Sequence, residues 1–94
     1  MTFTEFFPLY MQAHSKPATQ KMHAAALVCA LSFGAYCILS AKWSSIPIAF
    51  AIGYGMAWSG HLLFEKNSPL FFKHPILSFF GEFKLAYLVL TGKL

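Results

Sequence analysis

The sequence predicts an all-α membrane protein: a transmembrane helical hairpin with an N-terminal interfacial helix and a C-terminal embedded or interfacial helix. Three observations carry this. First, the 94 residues are 57% hydrophobic and 11% charged, where soluble domains carry roughly 25% charged residues. Second, two runs, 24–41 and 43–64, contain no Lys or Glu and number 18 and 22 residues. As helices they extend roughly 27 and 33 Å, close to the bilayer core of about 30 Å. Third, lysines bracket these runs. A soluble chain this short buries only about 60% of its unfolded surface, so 11 Phe, 4 Tyr and 2 Trp would leave large apolar patches in water. Disorder, a coiled coil and an ordinary water-soluble globule are excluded, and the length allows one membrane-embedded domain, 1–94.

Each element follows in order. Thr2-x-x-Glu5 has the spacing of a capping box, and Phe3, Phe6, Phe7, Tyr10, Met11 and His14 recur at helical intervals. The spacing predicts an interfacial helix over about 3–14, bent at Pro8. Residues 15–20, with Pro17, form a short connector. The spans cover about 23–41 and 45–65, turned by Lys42-Trp43-Ser44-Ser45 with an aromatic interface anchor. A second connector holds Lys66-Asn67-Ser68-Pro69 and His74-Pro75, and a third apolar helix occupies about 75–91, where Glu82 and Lys84 make a full span marginal. Lys16, Lys21, Lys66 and Lys73 flank the hairpin at its open end and only Lys42 lies at its tip. The positive-inside rule then predicts that both termini face the cytoplasm. A signal peptide cleaved after Ala41 is the rival reading, opposed by the long polar and aromatic lead before the apolar run.

Seven Lys and no Arg, with three Glu and no Asp, give a net charge of +4. Base and phosphate readout leans on Arg, and no lysine stripe exists, so nucleic acid is not an expected partner. Basic residues beside apolar segments suit a membrane surface. Cys29 and Cys37 would stand about 12 Å apart on one helix, too far for a disulfide.

The hairpin gives the four histidines a geometry. His23 opens the first span and His61 closes the second, so antiparallel helices put both at one depth, with His14 and His74 flanking them. Ala26, Ala30 and Gly34 share the His23 face, while Gly53, Ala57 and Gly60 form a small-residue face leading to His61. Small residues let transmembrane helices approach closely, so both histidines point into the seam. The same Gly/Ala faces also offer a route to a homo-oligomer. Glu65, four residues after His61, is placed to join a ligand set, or to pair with Lys66 or Lys21. Ionisable groups at membrane depth mark function. Three or four ligands from His14, His23, His61, His74 and Glu65 suit Fe(II), Zn or Mn and leave positions open for substrate and O2. Haem held between His23 and His61, or a structural subunit with merely interfacial histidines, are the alternatives. There is no phosphate-binding Gly-rich loop, Ser-His-Asp set or CxxC motif.

These residues resemble a known family. His14-x8-His23 before an apolar span, Gly60-His61-Leu62-Leu63-Phe64-Glu65-Lys66-Asn67-Ser68-Pro69, and His74-Pro75-x-x-Ser78-x-x-Gly81-Glu82-Phe83 are similar, in order and over nearly the whole chain, to short bacterial members of the family that includes the fungal Mpo-type 2-hydroxy-fatty-acid dioxygenase. The resemblance implies an Fe(II)-dependent enzyme of fatty-acid α-oxidation that uses O2 to shorten a long-chain 2-hydroxy acid by one carbon. His14, His23 and His61 match the family's histidines, and His74 matches the short bacterial form. Glu82 stands where Asp is usual, and Gln20 and Ser68 stand where basic residues are expected. Asn67, Ser78 and Glu82 fall within the matching stretches and are expected to support the ligands. Lys21, Lys66 and Lys73 are expected to hold the substrate carboxylate at the interface while its alkyl tail lies along the hairpin.

Overall fold

Thr2 starts the first helix as its spacing predicts. Its hydroxyl accepts from the Glu5 N–H at 3.2 Å, and the Glu5 carboxylate accepts from the Thr2 N–H at 3.2 Å, a complete capping box. These bonds hold the Glu5 carboxyl below its ordinary value. In the computed structural model the chain forms helices α1 (Phe3–Ala13), α2 (Pro17–Leu39), α3 (Ile46–Gly60) and α4 (Pro75–Leu90), with no strand among the described residues. The structure describes residues 1–94 apart from the Phe71 side chain.

The aromatic stripe of α1 faces protein. Phe6 and Tyr10 are buried with Leu85 of α4, and Phe7 and Met11 pack against them. Gly81 makes this possible, because a Cβ there would stand 3.1 Å from the Tyr10 ring. The two charges inside α4 are absorbed by the same contact. Lys84 lies 4.3 Å over the Phe7 ring, and Glu82 turns inward to Tyr10.

Pro17 is not a connector residue. It is the first residue of α2, where its fixed φ suits a helix and its missing N–H costs nothing. At the other end α2 closes with Ala41 in the left-handed region (φ 53°). The Lys42 N–H bonds the Cys37 carbonyl at 2.8 Å and the Ala41 N–H bonds Ile38 at 3.2 Å, the paired bonds of a Schellman stop. A 3-10 turn, Trp43–Ser45, then starts α3.

Small residues set the hairpin seam. A Cβ on Gly53 would meet the Ala30 Cβ at 3.1 Å, and one on Gly34 would meet Ala49 at 3.8 Å. The outer faces carry large apolar side chains into the surroundings, among them Val28, Tyr36, Leu39 and Ile48. Two segments, Pro17–Leu39 and Trp43–Glu65, are long and apolar enough to cross a membrane, and only 22% of each apolar window is buried. The longest dimension of the molecule is 38 Å. α4 packs against α2 and α1, covering the open end of the hairpin.

Candidate metal centre

Three elements deliver three histidines to one point. His14 is the C-cap of α1, His23 lies in the second turn of α2, and His61 follows the last residue of α3. All are buried, and one ligand atom from each lies within 4.8 Å of the others. The ring centroids are 4.3 Å apart for His14 and His23, 4.4 Å for His14 and His61, and 5.1 Å for His23 and His61.

Hydrogen bonds fix which nitrogen each ring offers. Nδ1 of His14 donates to the Tyr10 carbonyl at 2.6 Å. Nδ1 of His23 meets Oε2 of Glu82. Nδ1 of His61 lies 2.8 Å from Oδ1 of Asn67, and the Asn67 amide nitrogen is turned to the Ala13 carbonyl at 3.3 Å, which leaves the oxygen for His61. Each Nδ1–H is thus held by an oxygen, and each Nε2 keeps its lone pair. Oxygen partners of this kind orient metal-binding imidazoles and raise their basicity. Nε2 of His14 and of His23 is buried with no hydrogen-bond partner, an arrangement costing about 1–3 kcal/mol per group without a cation. Converging, unpartnered imidazole lone pairs are a donor set that fits a divalent transition metal.

Tyr10 ties the centre together. Its ring stacks on His14 at 4.0 Å, and its hydroxyl donates to Oε2 of Glu82 at 3.1 Å. Burial, with the Glu82 carboxylate beside it, pushes the phenol above its ordinary range. Burial, with His23 adjacent, pushes the His14 imidazole down to about 3, which keeps it neutral and available as a ligand.

The other expected site residues fall into separate places. Glu65 is not among the clustered ligands. The chain over His61–Glu65 is a π-helical turn, which takes more residues per turn than an α-helix, so the expected alignment of His61 with the residue four later is lost. The Glu65 carboxylate instead accepts from Ser15 Oγ at 2.8 Å, the Lys16 N–H at 2.8 Å and Thr19 Oγ1 at 2.7 Å, capping the start of α2. Neither expected lysine partner holds it. His74 stands at the N-cap position of α4 without a side-chain capping bond and sets its ring edge against Phe6 at 5.4 Å; it is not in the three-histidine group. Lys21, Lys66 and Lys73 are exposed, and none lines the cavity described next. Asn67 and Glu82 bond His61 and His23 as given above, whereas the Ser78 hydroxyl, expected beside them, is buried and bonds neither. The signal missed in the sequence was Tyr10, which sits four residues before His14 and so shares its helical face.

A cavity of about 480 Å³ lies between α2, α3 and α4 and reaches this centre at His23. Tyr10, His23, Ser78 and Glu82 line one end, Ile38 and Ile46 the other, and Leu27, Leu31, Phe50 and Phe79 the walls between. From His23 to Ile38 the helix rises about 22 Å, more than one leaflet of a core of about 30 Å. Its volume is that of a small-molecule site. The 5.1 Å between the His23 and His61 rings is a ring-to-ring contact and leaves no slot for a porphyrin between them.

The family described as 2-hydroxy-palmitic acid dioxygenase Mpo1-like matches the chain over residues 1–94. No curated protein and no solved structure matches it.

Proposed function

The chain belongs to the Mpo1-like family, and on that premise we propose that it is a membrane-embedded Fe(II)-dependent dioxygenase that shortens long-chain 2-hydroxy fatty acids by one carbon. The observation that carries the reading is the buried cluster of His14, His23 and His61 at the head of an acyl-length apolar cavity. Fe(II) held there supplies the redox chemistry with O2 that no side chain of this protein provides.

The protein's own residues do the rest. The three imidazoles would hold the ion, while the Tyr10 carbonyl, Glu82 and Asn67 fix their orientation. Ligand histidines must be neutral, so the Glu82 carboxylate offsets one of the two charges of a divalent cation. The remaining charge suits one monoanionic carboxylate head. The apolar wall takes the alkyl tail and keeps water from the reacting end. The exposed apolar faces of α2 and α3 support a hairpin crossing the bilayer. Lysines 16, 21, 66 and 73 at its open end support a cytoplasmic site and cytoplasmic termini.

Protein purified without a histidine tag and loaded with Fe(II) is expected to convert 2-hydroxypalmitate, in the presence of O2, to the acid one carbon shorter. Iron is expected at about one equivalent per chain, lost on His61→Ala. Absence of any shortened product across several chain lengths overturns the reading.

A further inference from the structure

We infer that Ser78 and Glu82 form a subsite that reads a hydroxyl next to the polar head of the bound lipid. The inference rests on the reading of the cavity as the site of a 2-hydroxy acid and deepens it.

Ser78 and Glu82 are four residues apart on α4, hence on one face, and both line the head of the cavity beside His23 and Tyr10. The two oxygens of Glu82 have different fates. Oε2 is occupied by the Tyr10 hydroxyl and His23 Nδ1. Oε1 is buried with no hydrogen-bond partner. Ser78 is 7% exposed, and its Oγ is likewise buried and unpartnered. Two unpartnered polar atoms stripped of water, on residues that share one helix face and line the same cavity, are left for something that enters it.

Chemistry selects that entrant. A carboxylate oxygen only accepts, so Glu82 Oε1 requires a donor from the ligand; Ser78 Oγ can donate or accept. A plain fatty acid or ester brings an alkyl chain past these atoms and leaves both unsatisfied. A hydroxyl on the carbon beside the head group donates to Glu82 Oε1 and accepts from Ser78 Oγ. Sites built to bond a substrate hydroxyl discriminate strongly against the analogue that lacks it, because the protein groups are then left bare. Glu82 therefore acts in two directions, positioning His23 with one oxygen and selecting the substrate with the other.

The test uses metal-free protein and two neutral probes differing by one hydroxyl, methyl 2-hydroxypalmitate and methyl palmitate, so that neither metal binding nor charge contributes. The hydroxy ester is expected to bind about tenfold or more tightly, the effect of a hydrogen bond to a charged group. Ser78→Ala is expected to weaken the hydroxy ester several-fold and leave methyl palmitate unchanged. Ser78→Thr, which retains the hydroxyl, is expected to restore part of the preference. Equal affinity of the wild type for both esters, or a preference untouched by Ser78→Ala, overturns the subsite. Turnover is scored separately. Preference in the metal-free protein without turnover by the Fe(II)-loaded protein overturns the proposed reaction and supports the subsite. Turnover with equal ester affinities overturns the subsite alone.

Discussion

Burial takes His14 from an ordinary value of 6.5 down to about 3, and stability then depends on pH. Above about 6.5 the ring is neutral in both folded and unfolded chains. As pH falls from about 6.5 towards 3 the unfolded chain takes up a proton that the folded one refuses, so stability is lost. Metal-free protein in detergent is expected to show a Tm that is flat above pH 7 and declines below it. His14→Asn should flatten that decline, which thermal denaturation across pH measures. Glu82 gives a second residue-scale prediction. Losing the oxygen partner of a metal-binding histidine typically lowers metal affinity about 10–100-fold. Glu82→Gln should therefore weaken metal binding by that order in competition with a chelator, while His23→Ala removes a ligand and weakens it further.

Elements meet at the centre through their ends. The π-helical turn His61–Glu65 is stopped by Lys66 in the left-handed region (φ 56°), and Asn67 then returns to His61. The turn separates two roles that an α-helix would have merged: His61 faces the cluster and Glu65 caps α2. Glu65→Gln should thus keep about one metal equivalent per chain. It should destabilise the fold by about 1–3 kcal/mol through weakened bonds to Ser15, Lys16 and Thr19, seen as faster amide exchange at Ser15 and Lys16. A different outcome, metal loss at unchanged stability, would return Glu65 to the ligand set. In the seam, Gly53→Val pushes a branched side chain at Ala30, where even a Cβ stands at 3.1 Å. An overpacking cost of about 1–3 kcal/mol is expected, read in denaturation of the reconstituted protein.

As a whole molecule, the chain is a hairpin whose outer faces are apolar and whose polar chemistry is gathered under α1 and α4. Only a fifth of each apolar window is buried, so the hairpin should remain in the bilayer through alkaline carbonate extraction; release into the supernatant would refute the spanning reading. The cavity ends at Ile38 and Ile46. Ile46→Trp fills that end and should shift preference toward shorter acyl chains without changing metal content, measured by competition between acids of different length.

The sequence by itself determined the helical class, the two bilayer-length runs, the capping box and the meeting of His23 with His61. All of these follow from periodicity, composition and antiparallel geometry, which are local or nearly so. Resemblance in the histidine spacings pointed to the family. Only the tertiary structure decided which of five expected ligands converge. It set Glu65 on the start of α2 through a π turn and His74 against Phe6. It also turned the Phe stripe of α1 inward onto α4, because Gly81 opens a place for Tyr10. Those outcomes depend on contacts between residues as far apart as Tyr10 and Glu82, and a helical period cannot report what a side chain meets across the molecule.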